Sequence, residues 1–388
     1  MEELFYRYNP WWKEKYQLNG IVPRPNFLNI LKKHLSSKQV IFLTGLRRVG
    51  KTTSLKLLIK DLIDNKFVDP KYIFYISLDD YSISKKTISE IVDEYRKIHK
   101  ITFKEKIYLF LDEVACQQDF EIQLKNFYDN QNVKVYASSS SASIIKNKKP
   151  HLTGRNVVVE LLPLDFDEYL EFKNIKISKA DKHLKDKYFE EYLKKGGLPE
   201  YVLHDNVEYI KELVDDIIYK DIAAFYNIKN PQNLKDFFML LMERSGKVAS
   251  LNKMAHVLNI SPDTAKRYLQ MFADTYLIYL VPRCGKTNDG ILAPKKVYAA
   301  DLGIRVFFTG FRDLGSLFEN YVYLKIKDHK PCYIYEDKLE IDFLTEEKTL
   351  IEVKYNREMQ EKQLSFFNKI KAKKKIKIYG IKDLGKIN

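Results

Sequence analysis

Cysteine is scarce in this chain: Cys116, Cys284 and Cys332 are the only three among 388 residues. They are scattered, odd in number and without a nearby His at zinc-ligand spacing, a pattern that predicts reduced thiols rather than a disulfide framework or a zinc centre. Long apolar runs are missing as well. The longest, such as "IYLFL" and "TYLIYLV", fall far short of the ~20 residues that span a bilayer. The opening "MEELFYRYNPWW" lacks the basic-then-apolar plan of a signal peptide. These absences predict a soluble, cytoplasmic protein with no membrane partner.

Core-forming residues are plentiful. At 45% hydrophobic and 13% aromatic, the chain predicts folded cores, with disorder confined to its ends. Its length exceeds what one core organises, so about two to four domains are expected. Lys and Arg outnumber Asp and Glu by 66 to 52, a formal charge of +14. That balance suits phosphate-bearing partners, although a solvated lysine-rich surface accounts for it equally well.

The most informative stretch is "QVIFLTGLRRVGKTTSLKLLIKDLI". It reads as a buried strand, a loop, and a helix with Leu55, Leu58, Ile59, Leu62 and Ile63 at helical spacing. The loop Gly45-Leu46-Arg47-Arg48-Val49-Gly50-Lys51-Thr52 fits the pattern G-x4-G-K-[ST] of a P-loop. Its glycines let backbone N–H groups curl around a polyphosphate at a helix N-terminus, Lys51 supplies a point charge, and Thr52 offers a hydroxyl to magnesium. Gly45, Arg48, Val49, Gly50, Lys51, Thr52 and Thr53 are therefore the expected ATP-binding residues, with Mg2+ as cofactor.

A P-loop enzyme also needs an acid on a nearby strand. "KIYLFLDEVA" ends a buried strand in Asp112-Glu113. Asp112 is assigned to the metal and Glu113 to the attacking water, because the Asp-Glu order supplies both roles. Asp79 and Asp80 in "ISLDD" are the rival pair, read as capping a strand or shaping the pocket rim. The strand "NVKVYASSS" ends in Ser138, Ser139 and Ser140, where a hydroxyl, with Ser139 as the candidate, can sense the γ-phosphate; a Ser-rich turn is the alternative. Arg155, before another β-rich run, is a candidate arginine finger, a role contributing ~10³–10⁵ in rate.

From Leu164 to about Asn230 the pattern turns helical and charged, with Gly196, Gly197 and Pro199 as helix stop signals. This predicts a helical lid over the nucleotide, with a passive linker bundle as the alternative. Residues 233 to 282 read as three short helices followed by apolar strands, a winged helix-turn-helix order. Lys266, Arg267 and Gln270 would face outward from its third helix and meet DNA, but such domains also serve as protein contacts.

The C-terminal stretch reads helix, three strands, helix, strand. Within it, "EIDFLTEEKTLIEVKYN" has the form D-xn-[DE]-x-K. Period-two alternation puts Glu352 and Lys354 on one strand face, and Asp342 shares a polar face with Glu340. Asp342 and Glu352 are candidate metal ligands, Lys354 a candidate to orient water, and Glu319 a fourth member of this nuclease-like set. Any half-buried strand alternates in the same way, and such folds also persist as binding modules.

In order, "TGLRRVGKTT", "ISLDD", "FLDEV", "ASSSS", "LTGR", "LPLDFDEYL", "GGLPEY", "VYAADLGI", "FENYV" and "EIDF…IEVK" resemble the bacterial and archaeal AAA+-superfamily P-loop ATPases with a C-terminal restriction-endonuclease-like domain of unknown function. The resemblance covers nearly the whole chain from about Arg24. It implies an additional-strand, doubly wound α/β P-loop domain, and contact between Arg155 and the γ-phosphate. The expected divisions are an N-terminal segment and AAA domain over 1–162, a helical lid over 163–230, a winged helix over 231–290 and a nuclease-like αβββαβ domain over 291–388. The reading that results is an ATP-hydrolysing switch or motor acting on DNA. A signalling switch with protein partners and an ATP-gated endonuclease are the alternatives, and a homo-oligomer is required if Arg155 acts in trans.

Overall fold

The computed structural model describes all residues except 141–151, 179, 180, 182, 286–289, 291, 292 and 388. The chain forms two compact units, Met1–Leu162 and Pro163–Asn388.

The first unit is built on five parallel strands: β1 (Val40–Thr44), β2 (Ile73–Ser77), β3 (Ile107–Asp112), β4 (Val133–Ser138) and β5 (Asn156–Glu160), in the order β2-β3-β4-β1-β5. Helices Lys51–Asp64, Ile88–His99 and Phe120–Asn130 join consecutive strands, as parallel pairing requires. With both faces of the sheet covered, β1 and β4 are buried throughout and read in sequence as unbroken runs. Strand β4 lies between β1 and β3, so the phosphate loop and the Asp112 strand are separated by one strand, whose end carries Ser138.

The exposed edge of β2 is covered by the N-terminal segment. Fully buried Asn9 accepts the Tyr75 N–H at 2.7 Å and donates to the Tyr75 carbonyl at 2.9 Å, taking the place of a neighbouring strand. Trp11 and Trp12 both donate indole N–H groups to the Ile73 carbonyl. Trp12 then stacks on Phe74 and Tyr95.

The second unit holds two sheets. An antiparallel three-stranded sheet, ordered β6-β8-β7, comprises β6 (Lys247–Val248), β7 (Ile278–Val281) and β8 (Lys296–Ala299). Helix Pro231–Glu243 precedes β6, and helices Leu251–Val257 and Pro262–Asp274 separate β6 from β7. A four-stranded sheet, ordered β12-β11-β10-β9, comprises β9 (Cys332–Glu336), β10 (Leu339–Leu344), β11 (Thr349–Val353) and β12 (Lys374–Ile378). Helix Leu314–Ile326 leads into it, and Glu361–Lys369 makes the crossover from β11 to the parallel β12.

The segments expected as a lid and as a nuclease-like domain share a core, to which Val281 of the segment between them also belongs. Phe166, Phe189 and Tyr192 pack in one apolar cluster with Tyr298, Phe318, Tyr321, Phe343 and Ile376. The helices expected to form a separate lid are thus structural members of the second unit. Two of the quoted motifs explain this. Asp301 of "AADLGI" accepts the Gly197 N–H of "GGLPEY" at 2.6 Å and the Ile304 N–H at 3.0 Å. A Cβ on Gly303 would sit 2.0 Å from the Lys195 carbonyl oxygen, and one on Gly197 would sit 2.1 Å from that of Leu164. Backbone packs on backbone there, so only glycine fits.

The thiol expectation is corrected in this unit. Cys284 and Cys332 form a disulfide. The Cys284 N–H donates to the Tyr333 carbonyl at 2.7 Å, and the Tyr333 N–H to that of Pro282 at 3.0 Å, which lays residues 282–284 along the edge of β9. Forty-eight residues separate the two cysteines, so spacing carried no signal of their pairing. Cys116 is exposed and takes no part in the disulfide.

Candidate functional site

The phosphate loop leaves β1 at Thr44 and enters helix Lys51–Asp64 through Gly50, whose φ is 99°. Gly45 has φ 131°, and a Cβ there would lie 2.2 Å from the Leu161 carbonyl oxygen, so the turn tolerates no side chain. Val49 is fully buried and anchors the loop, whereas Arg48 is exposed with φ 63°; Thr52 and Thr53 are half-buried on the first helical turn. Lys51 is buried, its ammonium 3.0 Å from both the Gly45 and Leu46 carbonyl oxygens. The cation thus lies over the loop, beside a helix N-terminus whose free N–H groups favour an anion.

Three hydroxyls converge on the Asp112 carboxylate. Thr52 donates to Oδ2 at 2.6 Å, Tyr75 donates to the same oxygen at 2.8 Å, and Ser138 donates to Oδ1. Glu113 follows in the left-handed region, with φ 49° and ψ 48°. Simple strand alternation would send Asp112 and Glu113 to opposite faces of the sheet. The left-handed turn breaks the alternation: the Glu113 N–H donates to Ser138 Oγ at 3.0 Å, and its carboxylate accepts the Ser140 hydroxyl at 2.8 Å. Both acids are thereby tied to the end of β4. A left-handed non-glycine residue is uncommon and marks a backbone held by its surroundings. Asp79 and Asp80 stand apart from this set: Asp80 accepts the Ser82 N–H to cap a short turn and takes the Tyr8 hydroxyl at 2.9 Å.

The second cluster lies on β8, β10 and β11 with helix Leu314–Ile326. Glu319, Asp342, Glu352 and Lys354 do come together, but around a residue that was not anticipated. Lys296, with no exposed side-chain surface, places its ammonium 2.9 Å from Glu319, 2.6 Å from Glu340 and 3.3 Å from Asp342. Tyr298, two residues along β8 and so on the same face, donates to Glu319 at 2.6 Å. Glu352 turns instead to Lys354, at 2.7 Å, and to the Gln363 amide. Asp342 also accepts the Val353 N–H at 2.9 Å.

Electrostatics follow from that arrangement. Burial pulls the Lys296 ammonium down, but Glu319, Tyr298, Asp342 and Glu340 outweigh it and hold its pKa well above the ordinary lysine value. Burial, reinforced by the Asp342 charge, raises Glu319 and Glu352 above the usual carboxylate range. Asp342 and Glu352 are neighbours, the Asp342 N–H donating to the Glu352 carboxylate at 3.2 Å, and among the described residues no group of three or more His, Cys, Asp and Glu side chains is arranged to hold a metal ion. A buried ammonium lies among Glu319, Glu340 and Asp342.

Residues 37–170 match the AAA domain family. The chain carries an AAA domain. Residues 186–314 and 314–384 match two domains of unknown function, DUF8612 and DUF4143. Relatives extend over most of the chain. The uncharacterized protein MJ1544 of Methanocaldococcus jannaschii is 29% identical over 351 residues, which is 84% of this chain and 77% of that protein. An uncharacterized protein of Haemophilus influenzae is 24% identical over 341 residues, 84% of each. Among solved structures, the Walker-type ATPase PABY2304 of Pyrococcus abyssi aligns with TM-score 0.49 at 13% identity, over 76% of this chain and 98% of that one. The Aeropyrum pernix ORC1 protein in complex with DNA aligns with TM-score 0.33 at 12% identity, over 75% and 93%.

Within the AAA domain the remaining candidates fall as follows. Ser139 is fully buried and its N–H donates to the Leu43 carbonyl, while the neighbouring Ser138 and Ser140 hold the acids. Arg155 precedes β5, and its carbonyl accepts the Val40 N–H at 2.9 Å at the amino end of β1. The phosphate loop leaves the carboxyl end of β1, after the pairs from Val40↔Asn156 to Thr44↔Glu160, so Arg155 lies roughly 16 Å away along its own strand. It pairs with Asp129 at 3.0 Å. Strand direction thus places Arg155 away from the phosphate loop of its own chain. Tyr75 and Lys296 were missed because nothing local marks a polar residue inside an apolar strand as a ligand. In the second unit, Lys266, Arg267 and Gln270 are exposed on helix Pro262–Asp274. Among the described residues no helix is long and apolar enough to cross a membrane.

Proposed function

We propose that this protein binds and hydrolyses ATP at the AAA domain and uses the cycle as a switch or motor acting on nucleic acid. The observation that carries the enzymatic part is the 2.6 Å contact between Thr52 and Asp112 at the first turn of a helix that also carries Lys51. A hydroxyl and a carboxylate side by side are hard oxygen donors of the kind magnesium takes, and the helix N-terminus and Lys51 suit a polyphosphate. The residues fit Mg·ATP on that chemistry. When bound, the ion would neutralise charge on the β- and γ-phosphates. Lys51 and the loop N–H groups then bind the phosphates, Thr52 and Asp112 hold the ion, and Glu113 accepts a proton from the attacking water once Ser140 yields its hydrogen bond.

Two variants test this. Lys51→Ala is expected to abolish binding of a fluorescent ATP analogue. Glu113→Gln is expected to keep binding and lose turnover by on the order of 100-fold or more. Normal turnover by the Glu113→Gln variant removes Glu113 from the water-activating role.

The nucleic-acid part rests on the second unit. The element order helix, strand, helix, helix, strand, strand, with β8 between β6 and β7, supports a winged helix whose third helix presents Lys266, Arg267 and Gln270. These line a groove of about 560 Å³ together with Asn252 and Lys295. Cations along one groove suit a phosphate backbone. The αβββαβ order supports a nuclease-like module, and the lysine at the centre of its acids favours binding over cleavage. A duplex-DNA binding assay at low and raised salt separates the readings. Salt-sensitive binding weakened by Lys266→Ala supports nucleic acid, and no binding at low salt favours a protein-directed switch. Magnesium-dependent cleavage lost in Asp342→Ala would restore the nuclease reading.

A further inference from the structure

Tyr75 belongs to none of the motifs that define the nucleotide site. It sits on β2, separated from β1 and the phosphate loop by β3 and β4, and pairs with Phe110 of β3. Alternation puts Tyr75, Phe110 and Asp112 on one face of the sheet, and the tyrosine side chain runs along that face to the acid. Its hydroxyl donates to Asp112 Oδ2 at 2.8 Å, the same oxygen that accepts Thr52 at 2.6 Å. The ring is 4% exposed. A phenol hydroxyl this close to a carboxylate acts as the donor of the pair.

The backbone of Tyr75 is fixed from outside the sheet. Asn9 closes a two-bond ring with the Tyr75 N–H and carbonyl, at 2.7 and 2.9 Å, and its amide also donates to the Phe5 carbonyl at 2.8 Å. An edge strand with one ladder open can slide or twist; Asn9 pins this one at the residue whose side chain reaches the acid. The Tyr8 ring lies 6.0 Å from that of Tyr75, continuing the contact from the same segment. The matched AAA domain begins at residue 37, so this support comes from outside it.

We propose that Tyr75 is a positioning residue for the magnesium-side acid Asp112, and that the N-terminal segment acts on the nucleotide site through the Asn9–Tyr75 link. The inference rests on the ATPase reading above. It assigns Tyr75 no contact with nucleotide. A hydrogen bond to an acid that holds a metal orients the acid, and loss of such a partner costs on the order of 10-fold or more in metal affinity or activity.

The test compares wild type, Tyr75→Phe and Asn9→Ala in the full-length chain. Binding of a fluorescent ATP analogue is measured in EDTA and across a magnesium titration, turnover across the same titration, and thermal unfolding on each variant without ligand. Tyr75→Phe is expected to match wild type in EDTA, to unfold within a few degrees of it, and to need on the order of 10-fold more magnesium for half-maximal binding and turnover. Asn9→Ala is expected to shift the magnesium requirement in the same direction by a smaller factor. A purely structural tyrosine would lower the unfolding temperature and leave the magnesium dependence unmoved, and that outcome overturns the proposal. If wild type binds and hydrolyses ATP and Tyr75→Phe has its magnesium dependence, this inference fails while the ATPase reading stands. If wild type binds no ATP, both fall together.

Discussion

The ammonium of Lys296 lies 3.3 Å from the carboxylate of Asp342, although the two are 46 residues apart and on strands of different sheets. Glu319 and Glu340 complete the acid ring around that cation. A buried charge is tolerated only with partners of opposite sign, and each member here depends on the others.

Removing the cation leaves buried acids uncompensated. Lys296→Met is expected to lower stability by about 3–5 kcal/mol in urea unfolding near neutral pH. The deficit is expected to shrink as pH falls, because the acids left behind are neutralised by protonation. A loss independent of pH would point to packing rather than charge.

Asp301 gives a pH dependence of definite sign. Burial raises its carboxyl to about 6, against the N–H donors of Gly197, Ile304 and Gly303 that favour the charged form. The folded protein therefore holds this proton more tightly than the unfolded chain does. The resulting stabilisation is complete below about pH 4 and is lost as pH rises through about 6, an amplitude of roughly 3 kcal/mol at about 1.4 kcal/mol per pKa unit. Denaturant titrations across that window are expected to show a falling limb in wild type that is absent from Asp301→Asn. The variant starts lower at acidic pH if its amide nitrogen faces the Gly197 donor.

Arg155 sits at the wrong end of its own sheet to reach its own phosphate loop. Turnover of Arg155→Ala per chain is therefore expected to equal that of wild type in dilute solution. A loss of 10-fold or more is expected only at concentrations where wild-type specific activity itself rises, as an arginine supplied by a second copy would produce. A full loss in dilute, folded protein would contradict the placement.

Much of this architecture is legible in the sequence alone. The phosphate loop, the strand ending in Asp112-Glu113 and the αβββαβ order are each written in a contiguous stretch, where periodicity and glycine placement act locally. The serine run was legible as a strand end, but not in detail. Ser139 was the candidate, while Ser138 and Ser140 carry the bonds to the acids, because the last pairs of β4 with β1 and β3 decide which hydroxyl points where.

By itself the sequence determined the element order and the chemistry available at each element, since hydrophobic period and turn residues act over a few positions. Tertiary structure alone decided which distant groups meet. The left-handed turn at Glu113 turns two adjacent acids toward the same strand end. Strand direction removes Arg155 from its own loop, and a shared core joins Phe166 and Phe189 to Phe343 and Ile376. The disulfide joins Cys284 to Cys332. Lys296, inside an apolar strand, becomes the centre of Glu319, Glu340 and Asp342 only when β8 is packed against β10 and helix Leu314–Ile326. Such contacts depend on chain closure over long separations, for which neighbouring residues carry no pattern.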